Sequence, residues 1–487
     1  MDHLANEIEE MGDPAYQKDT IISVAGPVGA EQFMLNGLTS PPRNSGEAGP
    51  VDAQAGSHNE AVTYCLARVR SRLGEGEKER ERSFPAGTSF RTIFRIPPTL
   101  RGINPQAEKP EIVSIGPYHR GREGLFEFEE HKWFFFKRFL HRTSLKVESL
   151  VISVAHLESS ARRSYSEPVL MSSGDFLEMM LLDGCFLLEL LFHFFRSDDA
   201  IDEEDPIFTR PWIIPILIRD LLKLENQVPY FLLETVFSSS GLSTVIGLEK
   251  ETLGTLVLKM FDLVYPIPAE LLKCYGYAQC HHLLDLFYLT LFPTNGIHNN
   301  YPQKYRPSDQ SVPCVTQLRL SGIKFKSRKT QNFLNISFKK RVLEIPTITI
   351  NDFTTTVLIN CIALEQCQEN SYKYITDYIS FMTCLIHQPK DVSLLCSDGI
   401  ITRFSEDNQY VANLFNKLGK SIVFNVQDCY LSKEFEELES YFYSNWANMM
   451  RTHFSSPWSA ISVFSAVLVI VLTATQAIFS VLSYHSH

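Results

Sequence analysis

Apolar residues recur at helical spacing through most of the chain beyond about residue 90. The strongest run is "SSGDFLEMMLLDGCFLLELLFHFF" (172–195), where Asp175 followed by Glu178 suits a helix start. At about 100° per residue, Glu178, Glu189, His193 and Arg196 share one narrow stripe, predicting a helix apolar almost all round with a thin wet edge. Asp183 lies off that stripe, faces packed neighbours and needs a buried hydrogen-bond partner. With Asp183 costing about 3 kcal/mol near a bilayer centre and two glutamates adding to that, this run reads as a soluble core helix. Further helices are predicted over "FEFEEHKWFFFKRFLHR", "FTTTVLINCIALEQCQ", where Asn351 or Asp352 can cap, "YITDYISFMTCLIHQ" and "YVANLFNKLGKSI".

The period changes at "IKFKSRKTQNFLNISFKKRVLEIPTITI" (323–350). Phe, Ile, Val and Thr alternate there with basic residues, predicting a small β-hairpin inserted into a helical body. It changes again at "WSAISVFSAVLVIVLTATQAIFSVLSY" (458–484). That run has no Lys, Arg, Asp or Glu and, at about 1.5 Å per residue, is long enough to cross roughly 30 Å of hydrocarbon. Trp458 and Tyr484 stand at its ends as interfacial anchors, and Arg451 before it, with no Lys or Arg after it, predicts a cytoplasmic body.

The stretch "PILIRDLLKLENQ" (215–227), continued by "VPYFLLE", is amphipathic in a different way. As one helix it puts Arg219, Asp220, Lys223, Asn226 and Gln227 on one half of the wheel and Glu225 among leucines. Pro229 would clash with the Glu225 carbonyl four residues back, so the helix must end or kink. We read Glu225, Asn226, Gln227 and Pro229 as a structural corner, with the two carboxamides placed to satisfy freed backbone groups and Pro229 opening the next helix.

The fold class that follows is mainly α: a multi-helix soluble body with a small inserted β-hairpin or sheet, plus one C-terminal transmembrane helix. The expected division is a flexible acidic leader (1–85), a helical domain (86–445, hairpin at 323–350), a juxtamembrane segment (446–457) and the span (458–484). The leader begins without a basic or apolar signal region, and its "RVRSRLGEGEKERERSF" (68–84) mixes both charge signs, as a solvated helix or linker does.

Composition narrows the function classes. With 44% hydrophobic residues among 487 and a formal net charge of -11, the chain can fill a core and lacks the basic surface that nucleic acid requires. Its 10 cysteines include no CxxC pair, consistent with free thiols in a reducing compartment. Cys361 and Cys367 are six residues apart, which does not bring them together on a helix. Cys274, Cys280, His281 and His282 match no common zinc spacing, so no cofactor or metal is expected. No P-loop, GxSxG, HExxH or kinase set is present. The richest titratable stretch holds His119, Glu127, Glu129, Glu130 and His131, but Glu127, Glu130 and His131 stand at the spacing of a solvated helix face. The sequon at Asn335 matters only if this region reaches a lumen.

The segments "EIVSIGPYHRG", "EEHKWFFF", "DGCFLLELL", "LLKLENQVPYFLLE", "LEIPTITIND", "NCIALEQ", "YISFMTCLIHQPKDVSLLCSDGII" and "VANLFNKLGKSI" follow one another and end in a hydrophobic tail. In that order they resemble the plant domain-of-unknown-function 247 family, also called uncharacterised protein family 0481, from about Phe94 to the C-terminus. Arg120 stands where the family often has a second His, and "LRLSGIKFK" departs from the commoner form. The resemblance implies a plant-specific, single-pass membrane protein with no catalytic residues to carry over. Some grass members are linked to self-incompatibility as pollen-side determinants, and others to growth or stress responses. The leading expectation is a membrane-anchored, non-enzymatic recognition or signalling module, at the plasma membrane or an endomembrane, whose body binds a protein partner. An enzyme using the His119–His131 region and a purely structural membrane scaffold are the alternatives.

Overall fold

The computed structural model describes residues 91–195, 205–241, 251–292, 312–329, 332–368, 373–403, 407–423, 429–453 and 457–485. The expected leader (1–85), its charge run and Arg196 lie outside the described residues. From Arg91 onward the chain forms one unit, mainly α-helical.

The helices, in chain order, begin with α1 (Pro105–Glu108), α2 (Phe126–Thr143), α3 (Val147–Ala155), α4 (Glu158–Arg163), α5 (Ser173–Phe195) and α6 (Ile213–Leu221). Next come α7 (Tyr230–Ser240), α8 (Leu253–Asp262), α9 (Ala269–Tyr275), α10 (Leu283–Leu289) and α11 (Val315–Leu320). After the strands lie α12 (Asp352–Cys367), α13 (Tyr374–Leu385), α14 (Pro389–Ser397), α15 (Asn408–Ser421), α16 (Ser432–Phe442), α17 (Asn445–His453) and α18 (Pro457–His485).

Helix α5 is the centre of the body, buried continuously from Met179 to Phe192. Its first turn is closed by Ser172, whose Oγ accepts the Asp175 N–H; Asp175, the cap the sequence suggested, is therefore inside the helix, about one turn past the cap that forms. The apolar face of α2 packs along α5, with Phe128 and Phe135 both edge-on to Phe186. The expected wet edge is kept at Glu178, which is exposed, and is corrected at Glu189. Glu189 is fully buried, because Arg138 and Arg142 of α2 reach over it at 3.3 and 2.8 Å.

The region 323–350 is richer than a hairpin. Strands β2 (Ser337–Lys339) and β3 (Val342–Pro346) are antiparallel about a tight turn at Lys340 and Arg341, both with positive φ (49° and 66°). Strand β1 (Lys324–Arg328) adds in parallel on the far side of β3, giving the order β1-β3-β2. Beyond Pro346 the chain leaves this sheet. Strand β4 (Ile348–Ile350) pairs in parallel with β5 (Ile401–Arg403), fifty residues on. Asn351 then caps α12 by accepting the Thr354 N–H at 2.8 Å.

Helix α18 differs from all of these. Its Ile461–Ser483 segment has a mean hydropathy of 2.2, is long and apolar enough to cross a membrane, and buries none of its apolar window. Trp458 and Tyr484 fall within this helix, and their side chains lie outside the described ones.

Candidate functional site

The corner at 220–229 is where the buried polar groups converge. Helix α6 stops at Leu221, short of Glu225, so the single helix through Gln227 that the wheel assumed does not form. The reason is local. Gln227 Nε2 donates to the Leu221 and Lys223 carbonyls at 2.7 and 2.8 Å, and Asn226 Nδ2 to the Asp220 carbonyl at 3.0 Å, so side chains take the acceptors a continuing helix would use. Pro229 stands at the N-cap of α7, one residue before its first helical position.

These side chains also hold a foreign segment. Residues 111–116 belong to none of the strands β1–β5, and several of their main-chain groups bond to side chains instead of a neighbouring strand. The Glu111, Ile112 and Val113 amides donate to the Asp220 carboxylate at 2.8–3.1 Å. Ile115 N–H donates to Asn226 Oδ1 at 2.7 Å, and Asn226 Nδ2 returns a bond to the Val113 carbonyl at 3.0 Å. Gly116 N–H donates to Asp183 Oδ2 at 2.7 Å, and Lys132 Nζ donates to the Ser114 carbonyl and to Asp183 Oδ1, the latter at 2.6 Å. Burial pushes the Asp183 carboxyl pKa up, and the adjoining Lys132 ammonium opposes that shift.

Glu225 works on the other side of the corner. Its Oε1 accepts the Ile96 N–H at 2.8 Å and its Oε2 accepts from Arg95 at 3.0 Å, with Arg101 at 3.7 Å. His119 Nε2 lies 3.5 Å from the same carboxylate. Burial, reinforced by Arg122 and Arg95, holds the His119 pKa down to about 3, so the ring is neutral and this contact is not an ion pair. Leu224 N–H donates to Asn360 Oδ1 on α12, and Asn360 Nδ2 donates to the Ala107 carbonyl, so the corner also fastens α12 to the start of the body.

The richest titratable stretch of the sequence is not assembled. His119 is buried at the corner, whereas Glu127 and Glu130 lie exposed on α2 and His131 is half-buried edge-on to Phe128. Glu129 turns inward to Lys132 and Ser114, and Arg120 closes on it at 2.9 Å. Cys274 is exposed and Cys280 half-buried, while His282 Nδ1 accepts the Asp285 N–H and caps α10. Among the described residues no group of three or more His, Cys, Asp or Glu side chains is gathered as a metal ion requires. Cys361 is buried on α12 and Cys367 half-buried at its end, both as free thiols.

Sequence reasoning missed several members of the network. Lys132 is the clearest, and its signal was present: a lysine among Phe128, Phe135, Phe136 and Phe139 on the apolar side of α2 must find a buried anion. Glu365 and Asp377 form a second polar centre. Glu365 accepts from Tyr288 Oη, Thr376 Oγ1 and the Ile375 and Thr376 amides, and burial still raises its pKa to about 7. Asp377 accepts the Tyr430 N–H, and burial raises it to about 8.

Comparison with known proteins finds relatives over most of the chain. The model of the DUF247 family, described as a plant protein of unknown function, matches residues 93–472. The chain is 34% identical to UPF0481 protein At3g47200 of Arabidopsis thaliana over 444 residues, covering 85% of this chain and 91% of that protein. It is 23% identical to Putative UPF0481 protein At3g02645 of the same plant, covering 79% of this chain and 89% of the relative. No solved structure matches. The corner, the Asp183 pair and the exposed apolar helix all fall within the matched residues or directly adjoin them, and the chain belongs to the plant DUF247 family.

Proposed function

We propose that this protein is a membrane-anchored, non-enzymatic recognition module whose helical body faces the cytoplasm and binds a protein partner. The observation that carries the reading is α18: an apolar helix with no buried face is stable in a bilayer and costly in water. The polar groups of the corner support the second half. Asp183, Asp220, Glu225, Asn226 and Gln227 spend their hydrogen-bonding capacity on main-chain groups and on lysine and arginine, as building elements do.

Binding then falls to the surface. Phe126, Trp133 and Trp212 are exposed by 57%, 39% and 64%, and aromatic side chains of this kind anchor protein interfaces. Chemical cross-linking of the full chain in isolated plant membranes, at graded expression levels, tests the reading. We expect a discrete adduct whose yield saturates and falls when Trp133 and Trp212 are replaced by serine. Adducts that rise without limit, unaffected by those changes, would argue for a scaffold without a dedicated partner.

A further inference from the structure

We propose that the three-stranded sheet is a second membrane contact, one that recognises anionic lipid headgroups; it rests on the reading that α18 is embedded in a bilayer. The sheet has one apolar and one basic face. Phe325, Phe338, Leu343 and Ile345 point into the body, while Lys324, Lys326 and Arg328 of β1 and Lys339 of β2 take the alternate positions. Lys340 and Arg341 extend that basic face at the exposed turn. Glu344, across from Lys326 and Ser337, is the acidic residue on the same face. Six basic side chains around one acid oppose the sign of a chain whose net charge is -11. Among the described residues none of the six forms an ion pair.

Position supplies the independent argument. The turn of the sheet lies against α17, the helix that leads into α18. Lys324 N–H donates to the Arg341 carbonyl at 2.9 Å, which brings the start of β1 beside the turn. The Arg341 guanidinium lies 5.7 Å from the ring centre of Trp446 in the first turn of α17, and Trp446 is itself 49% exposed. One turn on, Arg451 donates to Ser321 Oγ at 3.1 Å. Helix α16, which carries Glu434, Glu436 and Glu437, packs against β2, so the lipid-facing part is β1 and the turn. A basic strand and an exposed tryptophan held against the last helix before an apolar span match the charge and polarity of a headgroup layer. Each basic residue near such a surface strengthens contact about fivefold, within a Debye length of roughly 10 Å.

The turn provides its own readout, because trypsin cleaves after Lys340 and Arg341. The full chain is reconstituted into vesicles of phosphatidylcholine alone or with phosphatidylserine, and cleavage at the turn is timed on the outward-facing population. We expect cleavage slowed at least about tenfold by phosphatidylserine, with that protection lost at high salt and all but abolished in Lys324→Gln/Lys326→Gln, whose contact with the anionic surface should weaken by about twenty-five-fold. Both substituted residues are exposed, so an unchanged melting profile separates this loss from misfolding. Equal cleavage rates in the two lipids, or protection that the double substitution leaves intact, would overturn the proposal. An alkaline wash of the same vesicles reports separately on α18: a chain that washes off has lost the anchor reading, and the lipid dependence of cleavage, measured on the chain mixed with vesicles, still decides the sheet.

Discussion

Gly116 and Gln227 touch so closely that a side chain cannot be added at Gly116: an ideal Cβ there would sit 2.3 Å from the Gln227 main-chain oxygen. Gly116 also has φ +76°, a conformation that favours glycine. The same residue donates its N–H to Asp183, so the corner and the core helix α5 meet through one glycine. Gly116→Ala should therefore destabilise the body by about 2 kcal/mol or more, since strain and displacement act together. A urea midpoint for the variant checks this, and a midpoint equal to that of the unaltered protein would mean the contact relaxes freely.

Lys132 and Asp183 are both fully buried and 2.6 Å apart, so removing Lys132 strands the Asp183 carboxylate and removing Asp183 leaves the buried ammonium with Glu129 as its one carboxylate partner among the described residues. Asp183→Leu should cost roughly 3–5 kcal/mol. Adding Lys132→Met should not add as much again, because the under-compensated buried ammonium goes with it. A double-mutant cycle in denaturant measures the coupling; strictly additive losses would show that the pair does not act as one.

Glu225→Ala removes the acceptor of the Ile96 N–H and the partner of Arg95. We expect a loss of about 3 kcal/mol from the unpaired groups left behind. Because Glu225 holds the chain and performs no chemistry in this account, a variant of full stability that failed to form the cross-linked adduct would identify it as part of a functional site instead.

The pH dependence carries a sign. Glu365, pushed by burial to about 7, keeps its proton in the folded state after the unfolded chain has lost its own near 4.5, so its contribution falls as pH rises from about 4.5 to about 7. Asp377, raised to about 8, extends the fall upward. His119 and His282, held by burial at about 3 and about 4, act oppositely and weaken the fold as pH drops below about 6.5. Stability should thus decline between about pH 6.5 and 8, where of these four groups the two carboxyls titrate. In Glu365→Gln the Glu365 share of this dependence disappears, so the stability gap between the unaltered protein and the variant should narrow from about pH 4.5 to about 7. Parallel profiles for the two proteins would show that Glu365 titrates normally.

Local features of this fold were legible in the sequence, and long-range ones were not. The apolar α18, the helix at 173–195, the cap at Asn351 and the strand character near 323–350 all follow from spacing within a few residues. Asp183 could be marked as needing a partner, but nothing adjacent names Lys132, fifty-one residues earlier. Asn360 is harder still, joining Leu224 to Ala107 across 136 and 253 positions. Strand β5 is three residues long, too short for an alternating pattern, and exists because β4 arrives beside it. At the corner, the wheel failed because it counted helix hydrogen bonds without the side chains of Asn226 and Gln227 competing for them.

Membrane anchoring through α18 is the claim on which the proposed function stands, and alkaline carbonate extraction tests it most directly. Membranes carrying the full chain, or a chain ending before Pro457, are washed at high pH and the pellet is assayed for the protein. The full chain should remain in the pellet and the shortened one should pass into the supernatant. A full chain released as readily as the shortened one would contradict the account.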